Sequence, residues 1–376
     1  MMIRTRLCLG PLAGALLAAA LMAPLRATDT WPVFRGDALN SGVGDATLPA
    51  QLEILWKFPT KDGVEGTAAI VGDTVYVGSL DGQLHALDLK SGAEKWHAAT
   101  GPIKTAVGVC EGRVYVGDEE GGFHCFDAKA GKPLWKFTIE AGITSGVNFA
   151  DRRILFGSED ETLHCLNKGG KELWRFRVPG GPVLGTPAIV GDKTFVSGCD
   201  SNLHILSTVD GKELATVPLD GQTGASVAVK DKMLYVGTMS NQVLAIDLQK
   251  PGVRWRYESP RRQPFYASAA LTETLAVIGG RDKEVHALDR RTGKEVWHFA
   301  ADRKVDSSAV VDGNRIFVGS SDGNLYVLDI AGGKAVQKFP LTRGEILASP
   351  AVGGHCLIIG TRGGTAGAVY CLGARK

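Results

Sequence analysis

Gly78-Ser-Leu-Asp-Gly-Gln-Leu-His-Ala-Leu-Asp88, followed by Lys90-Ser-Gly-Ala-Glu-Lys-Trp96, is the stretch that decides how this chain folds. It returns as Gly117 to Asp127 with Trp135 and as Gly157 to Asn167 with Trp174. Further copies begin at Gly198, Gly237, Gly280, Gly319 and Gly360, at spacings of 39, 40, 41, 39, 43, 39 and 41 residues along the whole series. Eight copies fill the chain from Trp56 to its end. Self-similarity at a fixed period means that each copy is one structural unit that cannot bury its apolar face alone.

Within the first copy four short extended runs are separated by turn residues. The runs are Thr67–Val71, Thr74–Gly78, Leu84–Asp88 and Ala93–Trp96, and Gly72-Asp73, Asp81-Gly82 and Ser91-Gly92 punctuate them. After the first 27 residues no stretch has the period and length of a helix. The 49 glycines among 376 residues are therefore assigned to tight turns, since aromatic and β-branched residues are too plentiful for disorder. Four strands in a period of ~40 residues make a propeller blade. The expectation is an all-β, eight-bladed β-propeller of four-stranded antiparallel blades.

The first run of each copy is made of small residues, as in Thr67-Ala68-Ala69, Ser268-Ala269-Ala270 and Ser307-Ser308-Ala309. Eight such strands converge on one axis, where only small side chains fit. The tryptophans belong further out, where blades fan apart and volume must be filled. Trp56 precedes the first inner strand, and the last copy lacks a tryptophan strand. Leu55-Trp56-Lys57-Phe58 is thus expected to complete the last blade, so that pairing of the N- and C-terminal strands closes the ring and removes both free edges.

Residues 1–27 read as a signal peptide, with Arg4 and Arg6 ahead of the apolar run Leu7 to Ala23 and a cleavage site at Leu25-Arg26-Ala27. Residues 28–54 form an N-terminal lead-in segment and residues 55–376 the propeller. Cleavage removes three arginines and no acid, which takes the formal charge from +2 to −1. A near-neutral mature chain has no electrostatic footprint for nucleic acid. No second apolar run is long enough to span a bilayer. Six cysteines remain, and an exported chain can pair them.

The phrase Val75-Tyr76-Val77-Gly78-Ser79…Asp81-Gly82…Leu84…Ala86-Leu87-Asp88…Ser91-Gly92…Trp96 resembles the pyrroloquinoline-quinone-like (PQQ-like) propeller repeat, in its BamB-like branch. The opening Trp31-Pro32-Val33-Phe34-Arg35-Gly36 is similar to the lead-in of secreted propellers of this kind. The resemblance implies one of two activities. Quinoprotein dehydrogenases hold PQQ and calcium on the axis; the BamB-like branch holds neither and binds proteins. This chain has no adjacent Cys-Cys pair, and its longest blade connection runs only from Arg256 to Ala267, so the sequence does not support a bound cofactor. The expected function is a periplasmic or secreted, monomeric, non-catalytic scaffold for a protein or polymer partner in the cell envelope. A PQQ-dependent redox protein and a carbohydrate-binding propeller are the alternatives.

Several residues invite a chemical reading. His85, His124, His164, His204 and His286 share one slot in different blades, so they cannot converge on one ion. Gly319-Ser320-Ser321-Asp322-Gly323 matches a nucleophile-elbow pattern but lies in a blade hairpin with no strand-to-helix turn. Cys125 and Cys165 are expected as buried free thiols, while a Cys356–Cys371 bridge in the last blade is left open. No catalytic, cofactor or metal residue is assigned. One disc face carries Lys90, Lys129, Lys171, Arg290 and Arg291, and the other Glu119, Glu159 and Asp322. The connection Ser259-Pro260-Arg261-Arg262-Gln263-Pro264-Phe265-Tyr266 breaks the repeat with a basic pair and two aromatics. Arg261, Arg262 and Tyr266, with Lys104, Glu65 and Asp306 just before inner strands, are the candidate interaction residues near the channel mouth.

Overall fold

The computed structural model describes residues 30–364 and 366–375, so the expected signal peptide lies outside the described residues. Each repeat folds as an antiparallel meander. In the first blade the strands are Ala69–Val71, Thr74–Gly78, Gln83–Asp88 and Glu94–Ala99, paired in that order from the axis outward. The two middle strands are covered on both faces by neighbouring blades. That is why Thr74–Gly78 is buried throughout and reads as a nearly unbroken apolar run. The outermost strand alternates exposed and half-buried residues, and Trp96 and Ala98 are its half-buried pair.

Eight such sheets form a ring, an eight-bladed β-propeller. The tryptophans latch successive blades together. Trp56 Nε1 donates to Leu89 O (2.9 Å), Trp96 to Ala128 O (3.1 Å), Trp135 to Lys168 O (2.9 Å) and Trp174 to Thr208 O (3.0 Å). Each ring also lies on a turn glycine of the next blade. At Gly92 φ is +72° and a Cβ would stand 2.6 Å from the Trp56 ring, so glycine is required there both for its backbone angle and for space.

The last blade is built from both ends of the chain. Its strands are Ala351–Gly353, Cys356–Gly363, Ala366–Gly373 and, outermost, Glu53–Thr60. Trp56 stands opposite Cys371 in that final pairing. The ring is therefore zipped shut by the strand that the unmatched Trp56 had suggested.

The lead-in segment does something its sequence did not announce. It crosses the bore of the ring and caps the inner strands, whose outward N–H groups would otherwise face the axis unpaired. Trp31 exchanges two backbone bonds with Ile70, at 2.8 and 2.9 Å. Val109 donates to Pro32 O, Ile189 to Ala38 O, Val229 to Leu39 O, Leu271 to Ser41 O and Val311 to Gly42 O, at 2.7–2.9 Å. Asn148 Nδ2 reaches Ala38 O (3.0 Å), and Val43–Gly44 adds a short parallel strand beside Val310–Asp312. Seven blades are thus tied to one segment, which closes the channel at the end carrying the turns between first and second strands.

Candidate functional site

The other end of the channel is open. Thr67, Ala106, Gly146, Thr186, Ser226, Ser268, Ser308 and Ser349 hold the same slot at the head of the inner strands and line a cavity of about 170 Å3 floored by Phe34. The slot forms a girdle. Gly146 N donates to Thr186 Oγ1 (3.1 Å), Thr186 N to Ser226 Oγ (2.8 Å), Ser226 N to Ser268 Oγ (3.1 Å), Ser268 N to Ser308 Oγ (2.9 Å) and Ser308 N to Ser349 Oγ (3.0 Å). Each of these five hydroxyls accepts from the preceding blade, which leaves its own proton free to turn inward.

Of the six candidate interaction residues, Glu65, Lys104, Tyr266 and Asp306 line this cavity. Their charges are already matched. Glu65 accepts from Arg362 Nη1 (2.5 Å), and Lys104 pairs with Glu119. Asp306 takes two bonds from Arg281, at 2.9 and 3.1 Å, and one from Lys304 at 3.1 Å. The Arg281 guanidinium lies 3.8 Å from the Tyr266 ring centroid, a cation–π contact. Burial works to lower the Arg281 pKa, but the Asp306 bonds outweigh it and hold the group above its usual value. The Glu119 contact likewise raises Lys104.

Arg261 and Arg262 do not join the cavity. Arg261 pairs with Glu284 (2.8 Å) and donates to Asp282 O (3.0 Å) on the rim of the sixth blade. Arg262 is exposed, in a left-handed turn with φ of 52°. Phe265 is fully buried, so the irregular loop is anchored by one aromatic and lends the other to the mouth. Arg290, read from sequence as a surface cation, is a correction. It is buried between blades on Asp231 (2.9 Å) and the carbonyls of Thr272 and Glu273, because the turn that carries it folds under the neighbouring blade.

The shared-slot histidines stay in separate blades, each fixed by carboxylates of its own sheet. Asp282, Glu284 and His286 offer three ligand atoms within 4.8 Å of one another. Both His286 nitrogens are already bonded, to Asp282 (2.8 Å) and Glu295 (2.7 Å), and Glu284 is neutralised by Arg261. Burial opposes charging His286, but the two carboxylates win and raise its pKa, and with both nitrogens bonded no ring lone pair is left for a metal. Ser320 Oγ lies 3.3 Å from the Arg303 and Lys304 carbonyls, with no hydrogen bond to a histidine among the described residues. Cys125 and Cys165 are buried free thiols, pushed up by burial to about 11 and about 12. Cys356 and Cys371 are also free and buried, on diagonal positions of neighbouring strands.

The quinone of the dehydrogenase branch is a flat tricarboxylate, and the residues here do not fit it. The cavity is smaller than the ~300 Å3 at which ligand pockets usually begin. Its wall is hydroxyl rather than apolar, and Lys104 and Arg281 are engaged by Glu119 and Asp306.

The repeat, the ring and the capped bore define a PQQ-like propeller. The family model for outer membrane protein assembly factor BamB matches residues 45–135, 119–263 and 281–370, and the chain belongs to that family. It is 24% identical to BamB of Burkholderia pseudomallei over 327 residues, 79% of this chain and 75% of that protein. It is 28% identical to the quinohemoprotein alcohol dehydrogenase of Comamonas testosteroni over 144 residues, 33% of this chain but only 20% of the dehydrogenase. The solved structure of that dehydrogenase superposes with a TM-score of 0.81 at 14% identity, covering 93% of this chain and 81% of that one. BamB from Moraxella catarrhalis superposes with a TM-score of 0.73 at 19% identity, covering 87% and 98%. At such identities the superpositions speak for the fold alone. No helix among the described residues is long and apolar enough to cross a membrane.

Proposed function

We propose that this chain is a monomeric, non-catalytic scaffold of the cell envelope that binds a protein partner of outer-membrane protein assembly with its open face. The observation that carries the reading is the state of the axis. One end is sealed by backbone bonds to six blades and an Asn148 side-chain bond to a seventh, and the other is a small hydroxyl-lined cavity whose mouth charges are paired with one another. Such an axis supports a reading without a bound redox cofactor, while the rim around it presents mixed charge and an arginine-bearing loop. Arginine and tyrosine are the side chains that most often carry interface energy. Family membership supports a protein partner over a glycan. A quinone titration tests the reading: no absorbance band should be retained after gel filtration, and stoichiometric retention would favour a dehydrogenase-like role.

A further inference from the structure

The wedges that hold one of the five shared-slot histidines follow a rule that one of them breaks twice. In the outermost strand, the second residue after the tryptophan slot covers a ring of the next blade. Phe58 covers His85, Phe137 covers His164, Phe176 covers His204, Tyr257 covers His286 and Phe299 covers Tyr326, with ring centroids 5.1, 5.8, 5.3, 5.5 and 5.0 Å apart. The second residue before the slot is a glutamate that holds the histidine Nδ1 of its own blade. Glu94, Glu172, Glu213 and Glu295 do so at 2.7, 2.9, 2.6 and 2.7 Å. Between the first and second blades the covering slot holds Ala98 and the glutamate slot holds Pro133. His124 therefore has neither ring nor carboxylate at Nδ1, which has no hydrogen-bond partner among the described residues. Its Nε2 is held at 2.6 Å by the fully buried Asp118.

What remains is an open cleft of about 480 Å3, walled by Ala98, His124, Phe126, Pro133, Leu134 and Lys136. We propose that this cleft is a binding site for a tyrosine side chain of a partner protein, whose ring replaces the missing phenylalanine and whose hydroxyl donates to His124 Nδ1. The molecule contains its own template. Tyr257 fills the equivalent wedge over His286, its hydroxyl 3.1 Å from Nδ1 and donating to Glu295 Oε1 at 2.8 Å; with Pro133 in that glutamate's slot, the same hydroxyl position leaves Nδ1 as the acceptor in reach. Asp118 accepts the Nε2 proton of His124, which fixes the tautomer that leaves Nδ1 as an acceptor. The inference rests on the reading of the chain as a protein-binding scaffold and adds a separate contact on the outer strands of the first two blades, away from the open face.

The test uses the full chain and p-cresol, the tyrosine side-chain analogue, with the His124 ring resonances as readout. A ligand of this size should bind with a dissociation constant on the order of 1 mM. Its methyl ether, which lacks the donor, should bind about fivefold more weakly. Ala98→Phe should fill the cleft with the chain's own ring, weaken p-cresol about tenfold or more and leave the melting temperature no lower than that of the parent. Should the phenylalanine variant misfold, Ala98→Leu tests the same displacement. No shift of His124 at about 20 mM p-cresol, or equal affinity in parent and filled variant, would overturn the proposal. Either failure concerns this cleft alone, because the open-face reading is tested separately by crosslinking.

Discussion

The two ends of the axial channel are held by different forces. The sealed end is a web of backbone hydrogen bonds around fully buried Trp31, Arg35 and Asn40. The open end is a ring of side-chain ion pairs in contact with water. Arg35 shows how deep the first end lies: burial lowers its pKa to about 9, with Asp37 opposing, and only Nη1 finds a partner, Ala309 O. A buried group left without its partners costs several kcal/mol, whereas an exposed ion pair contributes ~0–1 kcal/mol. The difference teaches which end the fold depends on. The sealed end is part of the core, and the mouth can be rebuilt around a partner without unfolding the ring.

The largest expected effect comes from removing the sealed end altogether. Deleting residues 30–60 takes away the cap and the closing strand together, which frees the inner N–H groups and exposes the edge of Ala366–Gly373. Size-exclusion chromatography should show aggregate in place of monomer. A truncated chain that runs as a monomer with an unchanged melt would show that neither feature closes the ring.

Single substitutions should separate the ends next. Trp31→Ala is expected to cost about 3–5 kcal/mol in urea unfolding, as for other fully buried large-to-small changes. Tyr266→Ala, at the half-exposed mouth, should cost about 1 kcal/mol. Equal losses would erase the distinction between the ends.

Acid should weaken the mouth-face hairpins. Burial pushes the Asp118 pKa up, but His124 and the backbone N–H groups of Gly101 and Gly122 outweigh it and hold the carboxyl at about 2. Its unfolded value is ~3.9, so the ionised group stabilises the fold above that pH, and the contribution is lost as pH falls through the folded value. The expected loss is about 2 kcal/mol between roughly pH 4 and pH 2. Asp118→Asn should flatten that part of the urea-midpoint profile; an unaltered profile would mean that another carboxylate governs it. His286 works in the opposite sense, since its raised pKa gives stability that is present below ~6.5 and fades as pH rises through the folded value.

The smallest expected change in stability is at the irregular loop. Replacing Arg261, Arg262 and Tyr266 together by alanine should move the melting temperature little, because surface changes usually stay within about ±0.5 kcal/mol each. Partner binding should weaken by about 2 kcal/mol or more if the loop anchors an interface. A large loss of stability would instead show that the Arg261–Glu284 pair or Tyr266 supports the core.

Much of the ring was legible because repetition writes the same physical demand eight times. The closing strand could be read from the unmatched Trp56. The cap could not: the lead-in segment has no period, most of its bonds are made by backbone that any side chain permits, and the Arg35 and Asn40 bonds reach carbonyls of inner strands far along the chain. The mouth residues Glu65, Lys104 and Asp306 were placed by their offset from the inner strands, but their partners Arg362, Glu119 and Arg281 lie on hairpins whose reach no spacing reveals. Ala98 and Pro133 went unread in the sequence, because their meaning appears only once their slots are known to touch His124.

The most direct test of the open-face reading is a two-sided crosslinking measurement in the native host. A photoreactive residue is placed at Arg262 or Arg303 on the mouth face, and at Lys129 on the sealed face, all exposed positions. A specific adduct with an outer-membrane assembly protein from the two mouth positions, and none from Lys129, is the expected result. Adducts from Lys129 alone would place the partner on the sealed face and contradict the reading.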